Sequence, residues 1–368
     1  MKIQPRIIIL ILIFNLLATN CSLQKDAVTQ EPTVIDWKDL QIGPITSEDV
    51  CAKISPDEID DFENIKKDFT YGLAVGFFPE DLSTPSKIAH ETYWVNANQQ
   101  LLFNWLFWYP EGNEEPANLR LFVLLDENQL NNALPERGIY NDINLEKGDD
   151  KSIKVTIPPL SAGVHDVIAV GIPYPQNEPD EYGSVIVIYR RITLIVDPAP
   201  SLFRKIEFAS LPAEGLVKKN DPQLALELTL KKDEIDVWNW PDPWLDIDMN
   251  TSTLFFALAG HQDVTNLDAP PMDELLISFF SLLLFVDYRQ IEIAPSQMVL
   301  YKKVSKDTTY SHIPIEVSPL SQGKHYVLVF RIDSPGVPMC ILTGNSKGRI
   351  LPNSVYGKLV GIEVLPPK

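Results

Sequence analysis

Pro159-Leu160-Ser161-Ala162-Gly163-Val164-His165 and Pro319-Leu320-Ser321-Gln322-Gly323-Lys324-His325 are one step written twice, 160 residues apart. In each, a leucine is placed to plug the edge of a core and a glycine supplies a turn dihedral that a Cβ would penalise. An alternating apolar strand is expected to start at the histidine. Two further matches flank the step in the same order. Upstream, LFVLLDENQL at 121–130 matches LLLFVDYRQI at 282–291, with Asp126 and Asp287 separated by 161. Downstream, Val187-Ile188-Tyr189-Arg190 opens a stretch to 196 and Ser354-Val355-Tyr356-Gly357 one to 364, their tyrosines 167 apart. Three ordered matches at a nearly constant offset define one module used twice.

Each copy reads as β throughout. In the first, residues 101–108, 120–125, 152–157, 165–172 and 183–196 are rich in β-branched and aromatic side chains, and Pro, Gly, Asn and Asp clusters separate them. In the second, 224–230, 252–259, 275–287, 313–317, 325–331 and 359–364 repeat the pattern. Thirty prolines in 368 residues exceed the ~5% average, as many turns require. Short strands at this spacing predict sandwiches and not an open α/β sheet. The Leu-Ser-x-Gly-x-His step resembles the turn into a late strand of bacterial immunoglobulin-like domains. That resemblance implies an all-β chain of two tandem immunoglobulin-like β-sandwich domains, and a likeness of fold carries no activity. The boundaries read from the sequence are 67–198 for module 1 and 201–368 for module 2. Asp197-Pro198-Ala199-Pro200 is the expected hinge, and 231–250 is an insertion that the first copy lacks.

What precedes the modules is an address. Lys2 and Arg6 form a basic start, residues 7–18 are nearly all apolar, and small or polar residues follow up to Cys21. This is the three-part layout of a secretory signal over residues 1–20. Its apolar core falls well short of the ~20 residues that a membrane-crossing helix needs. Leu17-Ala18-Thr19-Asn20-Cys21 resembles the lipobox of bacterial lipoproteins, with Ala18 where leucine is usual and Asn20 where glycine or alanine is usual. The resemblance implies cleavage before Cys21, a lipid on its thiol and a membrane anchor at the cell envelope; plain secretion and an uncleaved anchor are the other readings. Residues 21–66 are polar and acidic, with a short helix expected near 57–67, and read as a tether that lifts the modules off the membrane.

Composition narrows the partners. The formal net charge is -19, and loss of Lys2 and Arg6 makes the mature chain two units more negative. Nucleic acid and anionic lipid surfaces are therefore poor partners, and the spread acidity reads as a solvated surface. Beyond Cys21 only Cys51 and Cys340 remain. An oxidising compartment permits a disulfide between them, but two free thiols buried as small hydrophobes are the expected state.

Most catalytic patterns fail on inspection. Gly344-Asn345-Ser346-Lys347-Gly348 spells a nucleophile elbow, yet Leu351-Pro352-Asn353 breaks the helix that an elbow requires. Asp246-Ile247-Asp248-Met249-Asn250 begins like an EF-hand loop, but Thr251 replaces its glycine and Ala257 its glutamate. A looser calcium site on Asp242, Asp246 and Asp248 is the one cofactor the sequence leaves open, beside the plainer reading of a solvated strand edge. None of His90, His165, His261, His312 and His325 has metal-ligand spacing, and the matched places of His165 and His325 in the repeat point to a shared structural role.

The stretch most suited to recognition is Val237-Trp238-Asn239-Trp240-Pro241-Asp242-Pro243-Trp244. A Pro-rich loop displaying Trp238, Trp240 and Trp244 beside carboxylates would stack on sugar rings or form a protein hot spot. The alternative is that these rings cover the end of the sandwich. Trp94, Trp105, Trp108 and Tyr109 lie in strand-like stretches and read as core. The sequence thus predicts a non-enzymatic envelope lipoprotein acting as a spacer or protein-interaction module, with glycan binding through the tryptophans as the alternative.

Overall fold

The computed structural model describes residues 33–34, 51, 66, 70–136, 138–173, 187–199, 201–210, 216–218, 226–229, 244–248, 253–259, 277–305, 308–317, 319–343 and 355–366. Strand β1 (Thr33–Val34) precedes module 1, whose strands are β2 (Ala74–Pro79), β3 (Lys87–Ala89), β4 (Thr92–Asn96), β5 (Leu101–Tyr109), β6 (Ala117–Leu125), β7 (Asn128–Gln129), β8 (Asn141–Leu145), β9 (Asp149–Ile157), β10 (Gly163–Pro173) and β11 (Ile188–Asp197). Module 2 contributes β12 (Glu207–Ser210), β13 (Leu216–Lys218), β14 (Leu226–Thr229), β15 (Trp244–Asp248), β16 (Thr253–Ala259), β17 (Ile277–Val286), β18 (Arg289–Ile291), β19 (Val299–Ser305), β20 (Thr308–Glu316), β21 (Gly323–Asp333), the short helix α1 (Met339–Thr343) and β22 (Val355–Leu365).

The chain is almost wholly β, as the sequence predicts, with one large and one small sheet in each sandwich. Module 1 packs the sheet β3-β4-β11-β10-β6-β7, with β8 also on β6, against β2-β5-β9. Module 2 packs β1-β12-β19-β17-β21-β22-β15, with β18 also on β17, against β13-β20-β16-β14. In both copies the last strand closes on an early one in parallel, β11 on β4 and β22 on β15. No helix among the described residues is long and apolar enough to cross a membrane.

The repeated step behaves much as its residues suggest. Leu160 is buried in the first core and Leu320 packs against the second. Gly163 and Gly323 hold φ values of 148° and 127°, a region that side chains rarely adopt. The strands begin at these glycines, two residues before the histidines.

Alternation along the central strands sends successive side chains to opposite faces, and here both faces are buried. From β6 and β10, Leu121, Val123, Val167 and Ala169 enter the first core, where Phe77 stacks on Phe103 at 5.0 Å. From β17 and β21, Leu282, Leu284, Val327 and Val329 enter the second. The intervening residues, Phe122, Leu124, Ile168 and Val170 on one side and Leu283, Phe285, Leu328 and Phe330 on the other, form a third apolar layer between the modules. Phe285 lies 5.3 Å from Phe122 and 5.2 Å from Phe330. A near-pseudo-twofold relation runs through this seam. The Gln129 amide N–H donates to Gln290 Oε1 at 2.6 Å, and the Gln290 N–H returns to Gln129 Oε1 at 2.9 Å. Each Nε2 then donates across the seam, Gln129 to the Tyr288 carbonyl and Gln290 to the Glu127 carbonyl.

Three expectations change as a result. The Pro-rich step at 197–200 is not a hinge between independent bodies, because an apolar layer holds the large sheets face to face. Stretch 21–66 is not free along its length: Thr33 and Val34 pair with Phe208 and Glu207, and Lys66 Nζ meets Asp150 at 2.8 Å. Cys51 and Cys340 are not free thiols; they form a disulfide with Cα atoms 5.3 Å apart. Its half-cystines lie in a small apolar cluster with Ala89, Val337, Met339, Ile341 and Leu342, which explains why both cysteines look like buried hydrophobes.

Candidate functional site

The matched aspartate and histidine of each copy are partners in space. Asp126 and Glu127 join β6 to β7 with φ of 49° and 61°, and Asp287 and Tyr288 join β17 to β18 with 49° and 66°. Positive φ at both central residues is the type I′ hairpin turn, and aspartate tolerates that region better than most residues. The turn aims Asp126 at His165 Nδ1, 2.7 Å away, and Asp287 at His325 Nδ1, also 2.7 Å. Each aspartate also accepts the next strand's amide, Asp166 N at 3.0 Å and Tyr326 N at 3.0 Å. On the far side, Nε2 faces the carbonyl of Ser161 at 3.0 Å or Ser321 at 2.9 Å.

Because both partners of each ring are acceptors, the imidazolium form satisfies both nitrogens. Burial alone pulls His165 and His325 down, but the aspartate and serine-carbonyl hydrogen bonds, with the aspartate charge, leave both above the ordinary histidine value. Ser321 Oγ lies 3.2 Å from His325 Nε2, which in outline gives a Ser-His-Asp row. A general base there would need a free lone pair on Nε2, whereas that nitrogen faces a carbonyl oxygen and must present N–H to it. The arrangement clamps the turn and leaves Ser321 unactivated.

Around this shared clasp the first copy adds charge where the second has rings. Glu127 replaces Tyr288 and Asp166 replaces Tyr326, at repeat offsets of 161 and 160. Arg204, from the segment entering β12, reaches Asp126 Oδ1 at 2.5 Å and also contacts Glu127 Oε2. Tyr301 of β19 donates its hydroxyl to Glu127 Oε2 at 2.8 Å. Glu127 is fully buried, and its Oε1 has no hydrogen-bond partner among the described residues. Burial pushes its carboxyl up; Arg204 opposes this, while Asp166 and Asp126 reinforce it. Burial also raises Asp126, but His165 and Arg204 outweigh it and hold that carboxyl below the usual range. Tyr301 is raised by burial and by the neighbouring Glu127 charge.

Beside this cluster, the β21–β22 connection of module 2 is laid onto module 1. Arg191, fully desolvated, donates to Asp166 Oδ2 at 3.0 Å and to the carbonyls of Asp333 at 2.6 Å and Ser334 at 2.8 Å. Gly336 N donates to Asp166 Oδ2 at 2.7 Å. Only glycine suits this point, since φ is 76° and a Cβ would lie 2.9 Å from Arg204 and Ile206 atoms. The free amides at the start of α1 are capped from module 1, Met339 N by Thr193 Oγ1 at 3.0 Å and Cys340 N by Thr92 Oγ1 at 2.8 Å.

The residues that the sequence singles out for recognition fall elsewhere. Cys21, Trp238, Trp240, Asp242 and the 344–348 string lie outside the described residues. Trp244 is the first residue of β15, so its backbone sits in a parallel ladder opposite Gly361 and not in a loop. Asp246, opposite Glu363, is exposed, with Ile247 buried behind it; Asp248 ends the strand. Among the described residues no three His, Cys, Asp or Glu side chains are grouped to hold a metal ion. Trp105 and Tyr109 are core; Trp94 is half-buried under Lys87 Nζ at 4.1 Å, and Trp108 is half-buried. The charged cluster was missed because its members are scattered over 126–301. Its one sequence signal was two carboxylates standing against tyrosines in the aligned copies.

No protein family and no curated protein matches the sequence. Among solved structures, the chain is similar to the CARDB domain of a Pyrococcus furiosus protein in complex with di-metal ions, at 12% identity over 35% of this chain and 92% of that one, with a TM-score of 0.23. It is similar to fibronectin(III)-like modules of Clostridium thermocellum CbhA at 10% identity over 78% and 94%, with a TM-score of 0.18. A β-glucosidase from Erythrobacter marinus matches at 12% identity over 34% of this chain and 15% of that enzyme, with a TM-score of 0.19. At these scores none of the likenesses carries a functional argument.

Proposed function

We propose that the chain is an exported, lipid-anchored, non-enzymatic module of the cell envelope, a rigid spacer or protein-interaction unit. The observation that carries this reading is the Cys51–Cys340 disulfide. Such bonds persist in oxidising compartments, so it supports export on grounds independent of the N-terminal leader. The apolar seam between the modules supports the rigid role, since a spacer that bends at its middle transmits position poorly. Cys21 is the lipid attachment point in this reading and the membrane is its first partner.

The experiment is metabolic labelling with radioactive fatty acid in wild type and in Cys21→Ala, combined with cell fractionation and thiol titration. Label confined to the wild type, recovered with the membranes and with Cys51 and Cys340 oxidised, is the expected result. Equal labelling of both forms refutes the anchor, and recovery in the cytoplasm with reduced cysteines refutes export.

A further inference from the structure

The clasp of module 1 gathers more charge than its counterpart in module 2. At the Asp–His clasp of module 1, three carboxyl groups (Asp126, Glu127, Asp166) face two guanidinium groups (Arg191, Arg204) and one imidazole (His165). The same clasp in module 2, Asp287 with His325, has the rings of Tyr288 and Tyr326 at the equivalent places, 6.3 Å apart. Among the described residues, the titratable groups that act on Glu127 are Asp126 on its own turn, Asp166 on β10, Arg204 before β12 and Tyr301 on β19. Gln290 of β18 approaches only its backbone carbonyl. With all carboxyls ionised and His165 neutral, the cluster carries one uncompensated negative charge. Burying such a charge is expensive, and a group in that position keeps a proton instead.

We propose that the seam is a proton-dependent latch: it closes with one proton shared between Glu127 and His165, and loss of that proton at alkaline pH loosens module 2's β21–β22 connection from module 1. The two sites are coupled through Asp126, which is bonded to His165 and to the same Arg204 that holds Glu127. With the proton on His165, Glu127 is the partner of Arg204 and the cluster is neutral. With the proton on Glu127, its unpartnered Oε1 becomes a hydroxyl and the cluster is again neutral. With neither, the negative charge is stranded beside Asp166, the acceptor of Gly336 N and of Arg191. The raised positions of both groups agree in sign. A group raised on folding stabilises fully below its unfolded value, and that stabilisation is lost as pH climbs through the folded one. Glu127 begins from 4.5 and His165 from 6.5, so the latch is closed in mild acid and weakens on the alkaline side.

The test is hydrogen–deuterium exchange of the full chain between pH 6 and 9, corrected for the intrinsic pH dependence of exchange. The reporters are the amides of Gly336, Met339 and Cys340, which donate across the seam; amides of β5 and β9 within module 1's small sheet are the reference. In wild type the seam amides should lose protection relative to the reference, by up to tenfold per pH unit over the range in which the closed latch keeps a proton that the open form has lost, as one linked proton requires. Glu127→Gln, which holds the neutral form, should flatten that dependence, and His325→Gln in the clasp of the second copy should leave it intact. Equal pH dependence in wild type and Glu127→Gln overturns the proposal. So does a wild-type profile in which seam and reference amides change together, a readout that needs no variant to fold.

Discussion

Replacing Phe285 by alanine separates a two-module body from two independent sandwiches. Phe285 lies on the face of β17 that points away from the module 2 core, and it is 0% exposed only because Phe122, Phe330 and their neighbours cover it. Within a closed seam, Phe→Ala removes a buried ring and leaves a cavity, costing about 3–5 kcal/mol. On a free module the same ring would sit on a solvated sheet face, and its loss would stay within about 0.5 kcal/mol. Urea unfolding followed by far-UV circular dichroism measures the difference from the shift in midpoint at unchanged slope. Adding Phe122→Ala gives a double-mutant cycle whose coupling should reach about 0.5–1.5 kcal/mol, as for an aromatic pair in contact. Leu102→Ala, at a position 43% exposed on the outer face of β5, is the small-effect control. A Phe285→Ala cost below about 1 kcal/mol, with no coupling to Phe122, would refute the seam.

Three more outcomes follow from the same packing. Cys340→Ala should lower stability by about 2–5 kcal/mol in unfolding titrations, and the denatured, unreduced wild type should show no reactive thiol from Cys51 or Cys340; a titratable pair would contradict the bond. Arg191→Met should cost about 3–5 kcal/mol by leaving the desolvated Asp166 carboxylate without its charged partner, measured by thermal melting against a near-silent Arg289→Met. His325, raised on folding, stabilises below about 6.5 and should lose that contribution as pH rises through its higher folded value. Nuclear magnetic resonance titration of its ring should therefore give a midpoint above 6.5 in wild type and a lower one in Asp287→Asn.

The β character and the internal repeat were legible because each rests on local composition and spacing. The seam was also written in the sequence, but in a form easily read as ordinary strand. A half-buried strand alternates apolar and polar residues, whereas 121–124, 167–170, 282–286 and 327–330 are unbroken apolar runs in both copies. An unbroken run in an antiparallel sheet means that both faces are covered, and the cover here is the other copy. Sequence spacing brought Asp126 and His165 to attention without showing that they touch, because a 39-residue separation says nothing about register until the strands pair. The disulfide was beyond reach for a stronger reason: its cysteines are 289 residues apart and lie together only where α1 of module 2 packs on module 1. Arg204 lies in a segment with no repeat partner to compare, so nothing in its surroundings marked it as the counter-ion of two carboxylates.

The Cys51–Cys340 bond also makes most of the chain a closed ring. A protease that nicks any one surface loop between those residues produces two peptides but no separate fragments, since each remains joined to the other through sulfur. The seam then holds the cut ends near their native places. Only cleavage before Cys51 sheds the folded body from whatever holds its N-terminus. Release of the folded body is thereby confined to the short N-terminal stretch, and a single cut in any loop between Cys51 and Cys340 is survived without loss of mass.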